Sequence, residues 1–259
     1  MKDNITRRKF IHSTSFAVAG LTLSANSFSS YLKRTKIKAI AFDGFPIFDP
    51  RPVFKKVNDL FPEKGKQLVE VWKAKQFSYQ WLRASAKKYK NFLDVTQDAL
   101  LFAAKECDLA IDRAGIEIIM SGYRNLNIWP DVIPVLRELK SKGIKLSFLT
   151  NMTEEMIMKG LQNSNTKEYF EHIISTDKIR TYKPDPNAYQ AGIDILKLRK
   201  EEILFVAFAG WDMAGAKWFG YPTFWVNRQN STADQLDAVP DGAGNNLNDL
   251  LSFVTDYNK

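Results

Sequence analysis

Short apolar runs alternate with stretches of helical periodicity from residue 37 onward. A short apolar run bounded by turn-forming residues is typical of a buried strand, and apolar residues three and four positions apart are typical of a helix. Strands are predicted at residues 37–42, 144–149, 173–175, 203–208 and 222–226. Helices are predicted at about 131–142, from about 154, at 186–198 and from about 212. This order predicts an α/β protein with a Rossmann-like parallel sheet and helices on both faces.

Residues 52 to about 125 interrupt this alternation, because they contain no good strand pattern and their apolar residues recur at helical spacing. We therefore predict an inserted all-helical cap domain at residues 50–129, and a core formed by residues 36–49 and 130–259. An aromatic stripe in the cap is predicted to serve packing first, and comprises Trp72, Phe77, Tyr79 and Trp81. Residues 229–246, rich in Asn, Gln, Asp and Gly, are predicted to form a surface loop.

The charge of the chain is unevenly distributed. The 259 residues carry a formal net charge of +8, but residues 1–36 contain seven basic residues against one acidic residue. The remainder has 30 basic and 28 acidic residues, with no basic stripe of the kind that neutralises phosphates. Nucleic acid is therefore not an expected partner.

The basic N-terminus resembles a twin-arginine export signal. Arg7 and Arg8 precede Phe10 and Ile11, and a moderately apolar stretch follows at residues 16–21. We predict a signal at residues 1–30 and a periplasmic or otherwise exported protein. The apolar stretch is short and flanked by Ser and Thr, so stable membrane insertion is not expected.

Cysteine and histidine are scarce. The single cysteine, Cys107, excludes an internal disulfide and a multi-cysteine metal cluster, and its apolar neighbours predict that it is buried. Of the two histidines, only His172 lies beyond the leader, where a position at a strand edge is predicted. We expect no metal and no cofactor, so carboxylates and lysines remain for any chemistry.

Polar and charged residues follow each predicted strand, at the sheet edge where parallel α/β proteins bind their ligands. In chain order they are Asp43, Thr150, Asn151, Asp177, Lys183, Asp212, Asn227 and Arg228. Taken singly, Thr150, Asn151 and Asp212 also suit helix N-caps. Caps alone do not account for Asp43 and Lys183, so a site at this edge is the favoured interpretation.

Four motifs at these positions resemble those of the haloacid dehalogenase superfamily, and its L-2-haloacid dehalogenase branch in particular. They are Ala41-Phe42-Asp43, Leu149-Thr150-Asn151, Tyr182-Lys183-Pro184-Asp185 and Trp211-Asp212-Met213-Ala214-Gly215-Ala216. Residues 75–83 and 219–228 also resemble that branch. The resemblance extends over residues 36 to about 255.

The resemblance implies hydrolytic dehalogenation of short L-2-haloacids, in which an aspartate attacks carbon α, expels halide and forms an ester that water hydrolyses. Asp43 matches the nucleophile, Lys183 the lysine that keeps it ionised, and Asp212 the residue that acts on the water. The positions matching substrate-binding residues are Lys73, Phe77, Phe92, Thr150, Asn151, Tyr189 and Trp211. The implied ligand is a small halogenated carboxylic acid, and a homodimer is one state that the resemblance leaves open.

Several positions depart from the family pattern. Lys73 replaces an arginine, Ile47 a threonine, Ala207 a serine and Ala209 an asparagine, so hydrogen-bonding groups are lost. These losses leave a non-catalytic, ligand-binding relative as one alternative. A phosphatase is the other, but Phe45 occupies the position where the phosphotransferases of the superfamily have a second aspartate.

Overall fold

The structure is a computed structural model that describes residues 35–259, so the export signal predicted at residues 1–30 lies outside the described residues. Its strands are β1 (Ala39–Phe42), β2 (Phe48–Asp49), β3 (Asn127–Ile128), β4 (Lys145–Thr150), β5 (His172–Ser175), β6 (Ile203–Ala207), β7 (Thr223–Val226) and β8 (Gly242–Gly244). Its α-helices are α1 (Arg51–Leu60), α2 (Gly65–Ser85), α3 (Phe92–Glu106), α4 (Arg113–Arg124), α5 (Val132–Ser141), α6 (Glu154–Ser164), α7 (Pro186–Leu196), α8 (Gly210–Phe219) and α9 (Leu247–Tyr257). No helix in this part of the chain is both long and apolar enough to span a membrane.

Six strands form one parallel sheet in the order β5-β4-β1-β6-β7-β8. The central strand, β1, is buried along its whole length, as the apolar run predicted. Strands β4 and β5 lie on one side of β1, and β6, β7 and β8 lie on the other. The strand order therefore reverses at β1, and a crevice that can bind a ligand forms beyond its carboxyl end. The predicted α/β fold class is confirmed.

Alternate residues of β1 face opposite sides of the sheet, and each side is covered by helices. Ile40 and Phe42 belong to the larger hydrophobic cluster, which also contains buried residues of α5 and α9. Ala39 and Ala41 belong to a second cluster with residues of α7 and α8. This two-sided burial explains why the strand has no polar alternation.

The sixth strand of the sheet, β8, corrects the prediction of a surface loop at residues 229–246. Its sequence is Gly-Ala-Gly, which gives no apolar signal for a strand. A side chain at Gly242 would lie 2.5 Å from the ring of Phe253 on α9. Close packing of that helix therefore favours glycine in the strand, and this is why the hydrophobic pattern missed it.

The four helices α1–α4 follow one another between β2 and β3, and we call them the cap. The two short strands pair antiparallel, with Phe48 opposite Ile128 and Asp49 opposite Asn127, so the cap joins the core through a narrow two-stranded stem. Two of the four cap helices begin at a side-chain N-cap: Asn91 accepts a hydrogen bond from the Asp94 amide at 2.9 Å, and Asp112 accepts one from the Gly115 amide at 2.7 Å.

The aromatic stripe of the cap does not behave as one packed unit. Trp72 is buried, and its ring meets those of Phe54 and Tyr123 edge-on. Trp81, in contrast, is 45% exposed, so the prediction of packing is wrong for this residue. The four side chains do not share one face of α2, because they are not all three or four residues apart.

Cys107 is buried as predicted, and His172 begins the edge strand β5 with its side chain exposed.

The lead-in to β1 is held by the last helix of the chain. The Asn258 side chain accepts a hydrogen bond from the Ile37 amide at 2.8 Å and donates one to the Ile37 carbonyl at 2.9 Å. These paired bonds pin the start of the central strand to the end of α9.

Candidate active site

Three charged side chains meet at the carboxyl end of β1. Asp43 directly follows that strand, Lys183 lies in the loop before α7, and Asp212 lies in the first turn of α8. The Lys183 Nζ is 2.9 Å from Asp43 Oδ1 and 2.5 Å from Asp212 Oδ2. The lysine side chain is 0% exposed, so a single buried ammonium bridges two carboxylates.

The three charges determine the protonation of the group. Burial lowers the pKa of Lys183, but the charges of Asp212 and Asp43 and the hydrogen bonds to them outweigh burial, and the pKa is raised overall. Burial raises the pKa of Asp212 to about 6; the charge of Asp43 acts in the same direction, and Lys183 opposes it. At neutral pH the lysine is therefore charged and Asp212 is mainly ionised.

The two oxygens of Asp43 are held differently. Oδ1 accepts a hydrogen bond from Lys183, and a longer one from the Thr150 hydroxyl at 3.4 Å. Oδ2 accepts only the Phe45 amide at 3.3 Å among the described residues. One oxygen is thus fixed by a charge, and the other remains the more available of the two.

Asp212 is fixed from behind by a buried tyrosine. The Tyr189 hydroxyl donates to Asp212 Oδ1 at 2.8 Å, and the Tyr221 hydroxyl in turn donates to the Tyr189 carbonyl at 2.8 Å. A side chain at Gly215 would lie 2.5 Å from the Tyr189 oxygen, so this close approach favours glycine there. Tyr189 was predicted to bind substrate; it is not among the residues that line the cavity beside Asp43, and its hydroxyl contacts Asp212.

Asn151 braces the backbone of Lys183. Its Oδ1 accepts hydrogen bonds from the Lys183 amide at 2.8 Å and from the Thr176 hydroxyl at 3.2 Å.

The helix-cap alternative is wrong for Thr150, Asn151 and Asp212. The N-caps of α6 and α8 are Thr153 and Ala209, which leaves all three candidates free to serve the site.

A cavity of about 180 Å³ lies beside Asp43, lined by residues of both the core and the cap. Its wall is largely aromatic, and the rings come from Phe45, Phe54, Phe77, Phe92, Tyr123, Phe208 and Trp211. Phe77 of the cap lies against Trp211 of the core, with ring centroids 4.9 Å apart. The polar lining residues are Asp43, Lys73, Gln76, Gln80, Thr150, Asn151, Asp212 and Gln229.

Most of the predicted site residues line this cavity. The structure brings Lys73, Phe77, Phe92, Thr150, Asn151 and Trp211 around Asp43 and Asp212. Lys73 has a partly exposed side chain and pairs at 3.3 Å with Glu70, one turn away on the same helix. Asp177, Asn227 and Arg228 do not line the cavity: Asp177 accepts a hydrogen bond from Tyr89, and Arg228 pairs with Asp131 at 3.0 Å.

Sequence reasoning missed two polar lining residues of the cap, Gln76 and Gln80. The available signal was their spacing. With Lys73 and Phe77 they occupy positions i, i+3, i+4 and i+7 of α2, which share one face of a helix.

Across residues 35–259, no group of three or more His, Cys, Asp or Glu side chains is placed to hold a metal ion.

Comparisons with known proteins agree on one family. The family model described as haloacid dehalogenase-like hydrolase matches residues 64–226. The (S)-2-haloacid dehalogenase of Pseudomonas sp. (strain YL) is 34% identical over 206 residues, covering 79% of this chain and 89% of the relative.

Two solved structures give the same result. The L-2-haloacid dehalogenase RSc1362 superposes with a TM-score of 0.83 and 35% identity, over 85% of this chain and 100% of that one. The L-2-haloacid dehalogenase of Xanthobacter autotrophicus with chloropropionic acid covalently bound gives a TM-score of 0.77 and 28% identity, over 85% of this chain and 98% of that one.

The parallel sheet, the helical cap and the buried lysine between two carboxylates define a capped α/β protein with its site at the switch point of the sheet. The matches above extend over most of that architecture. The chain belongs to the haloacid dehalogenase-like hydrolase family.

Proposed function

We propose that this protein hydrolyses the carbon–halogen bond of short L-2-haloacids, with Asp43 as a covalent nucleophile. The observation that carries the proposal is the Lys183 ammonium held between Asp43 and Asp212, two carboxylates that both line an aromatic cavity. Such a cation keeps a buried carboxylate ionised, and the aromatic wall leaves Asp43 partly desolvated, as a carboxylate nucleophile requires. The related enzyme with covalently bound chloropropionic acid supports an ester intermediate.

In the first step an oxygen of Asp43 attacks carbon α of the haloacid. A carbon–oxygen bond forms, the carbon–halogen bond breaks, and its electron pair leaves with the halide. Oδ2 is the attacking atom in this proposal, because Oδ1 is already held by Lys183 and Thr150. Asp43 becomes a neutral ester, so the buried group loses one negative charge.

In the second step a water molecule attacks the Asp43 carbonyl carbon. Asp212 takes one proton from the water, the bond from Asp43 to the hydroxyacid oxygen breaks, and that oxygen receives this proton. The new Asp43 carboxyl group then loses the other proton of the water to the solvent and becomes a carboxylate again. The sum is haloacid plus water giving 2-hydroxyacid, halide and a proton. Tyr189 and Lys183 hold the Asp212 carboxylate in place for this transfer.

Lys73 is the cation proposed to attract the carboxylate of the substrate. It is the one Lys or Arg among the described lining residues of the cavity, and its side chain is 41% exposed, so it reaches both solvent and cavity. Phe77, Phe92 and Trp211 supply the apolar surface around the α-carbon and its substituent. Asn151 and Trp211 are proposed to lie near the departing halide.

The proposal is tested by halide release from L-2-chloropropionate and L-2-bromopropionate, in buffer with EDTA. We expect turnover that EDTA leaves unchanged, because the Lys183 ammonium provides the positive charge between the two carboxylates. A generic phosphate monoester is assayed in parallel with and without Mg²⁺. Phosphate release that depends on Mg²⁺, without any halide release, would favour the phosphatase alternative instead. Release of neither product would favour a ligand-binding protein.

Asp212 is expected to act in the second step alone. An Asp212→Asn variant should release about one halide per chain in a burst and then stall, because Asp43 still pairs with Lys183 while the ester lacks its base. Mass spectrometry of the stalled protein should show the acyl group on the peptide that contains Asp43. Wild-type enzyme should show the same stall in acid, since its hydrolysis step slows as pH falls through about 6 and Asp212 becomes protonated. Continuous turnover by the variant would contradict this assignment.

A further inference from the structure

Gln80 is a buried amide that the two chemical steps above do not use. It lies on α2 of the cap, is 5% exposed, and lines the cavity together with Asp43, Asn151 and Trp211. A buried amide normally has both its oxygen and its nitrogen engaged in hydrogen bonds. The hydrogen-bond partners of the Gln80 oxygen and nitrogen therefore indicate the role of this side chain.

The orientation of the Gln80 amide follows from its neighbour. The Asn151 Oδ1 already accepts two hydrogen bonds, from Lys183 and Thr176, so the Asn151 nitrogen must face Gln80. That nitrogen lies 3.5 Å from Gln80 Oε1, which fixes the oxygen of Gln80 toward Asn151. The Gln80 Nε2 then points away from Asn151, and among residues 35–259 it has no acceptor.

Gln76, one turn earlier on the same face of α2, provides an internal comparison. Its Nε2 donates to the Thr96 hydroxyl at 2.5 Å, so this amide is committed to packing within the cap. Gln80 has no such partner in the described part of the cap, although it is the more buried of the two. The Gln80 Nε2 is therefore a donor that a ligand in the cavity can engage.

A 2-haloacid brings two groups that require donors, namely the carboxylate and the halogen that leaves as an anion. Lys73 and Gln80 are seven residues apart on one face of α2, which is about 10 Å along the helix. The permanent charge of Lys73 suits the permanent charge of the carboxylate. A neutral, preoriented N–H suits an atom whose charge develops only as its bond breaks.

We propose that Gln80 Nε2 donates a hydrogen bond to the departing halide, and so helps to determine which halogens this enzyme removes; this rests on the function proposed above. Attack by Asp43 requires the halogen to leave on the opposite side of carbon α, along the line of the new bond. Asp43 belongs to the core, and Gln80 belongs to α2 of the cap, which contributes part of the wall of the same cavity. As the carbon–halogen bond breaks, its electron pair passes to the halide that Gln80 binds.

The expected signature is a graded dependence on the halogen. Chloride accepts a stronger hydrogen bond than bromide, and it is also the poorer leaving group without assistance. Loss of the Gln80 donor should therefore slow removal of chlorine more than removal of bromine. A donor to the carboxylate would act equally on both substrates, because the carboxylate does not change between them.

The experiment measures single-turnover halide release from L-2-chloropropionate and L-2-bromopropionate by wild type, Gln80→Met and Gln80→Glu. Methionine keeps the volume without a donor, and glutamate keeps the shape but offers only acceptors when ionised. Removing one such donor is expected to slow chloride release about 10²-fold. The ratio of bromide to chloride release should rise about tenfold, with KM nearly unchanged, because the lost donor acts on the leaving halogen and not on the rest of the substrate. The matched control is Gln67→Met, an exposed glutamine on the same helix, which should behave as wild type.

Each outcome has a distinct meaning. Unchanged rates in both Gln80 variants would overturn the proposal. An equal loss on both substrates with a raised KM would assign Gln80 to the carboxylate, and an equal loss with a lowered melting temperature would make it structural; both results overturn halide binding. Failure of the proposed function is recognised separately, because then wild type and Gln67→Met would release no halide at all, and this inference would fall with it.

Discussion

An Asp43→Asn variant is expected to release no halide above background, a loss of about 10⁴-fold or more. The amide has nearly the shape of the carboxylate but lacks the charge and the free electron pair that attack carbon α. The fold should survive, because Lys183 and Asp212 then form a pair of opposite charges in the same place. Single-turnover halide release and thermal unfolding measure the two effects.

Asp177→Asn is the matched control for this variant. Asp177 also follows a strand of the sheet, but it accepts a hydrogen bond from Tyr89 and lies outside the cavity lining, so halide release should stay at the wild-type rate. Asp43→Ala is assayed beside Asp43→Asn, because an asparagine followed by Gly44 is prone to deamidate and restore the aspartate. Halide release by Asp43→Ala within about tenfold of wild type would rule out the nucleophile assignment.

A Lys183→Met variant is expected to lose both halide release and stability. Removing the ammonium leaves two carboxylates together in a buried position, where breaking a buried pair costs about 3–5 kcal/mol. One of the carboxylates then takes up a proton, so Asp43 is either protonated or no longer held in position to attack the substrate. Denaturant unfolding measures the first effect, and halide release measures the second.

A second variant separates charge from packing. Adding Asp212→Asn to Lys183→Met removes the repulsion between the carboxylates, so part of the lost stability should return while halide release stays absent. The control is Lys217→Met, which breaks a partly exposed pair with Asp241 and should cost about 1 kcal/mol or less. Equal destabilisation by Lys183→Met and Lys217→Met would contradict a buried charge centre.

The hydrophobic pattern predicted strand β1 well but missed strand β8 and misplaced Trp81, for reasons that these residues make clear. Strand β1 is buried on both faces, so its apolar run is uninterrupted and ends at Asp43. Strand β8 is built from two glycines and an alanine, and its pairing with β7 depends on contacts with α9 that no local pattern records. Trp81 followed the aromatic pattern of α2 but lies on its exposed side.

The candidate site was predicted as a set of positions rather than as a geometry. The order of strands and helices was enough to place Asp43, Lys183 and Asp212 at one sheet edge. It did not reveal that Tyr189 stands behind Asp212, because this depends on how closely α7 and α8 pack at Gly215. Nor did it reveal Gln80, whose significance comes from the hydrogen bonds that Asn151 has already committed elsewhere.

The paired hydrogen bonds between Asn258 and Ile37 have a consequence for engineering. They show that the two ends of the described domain lie side by side, so a short glycine-rich linker would suffice to join them. New termini could then be opened in the exposed stretch at residues 230–237, between β7 and β8. Such a circular permutant would keep the spatial order of the strands. A fusion partner would then be attached at the new termini and not next to the start of the central strand.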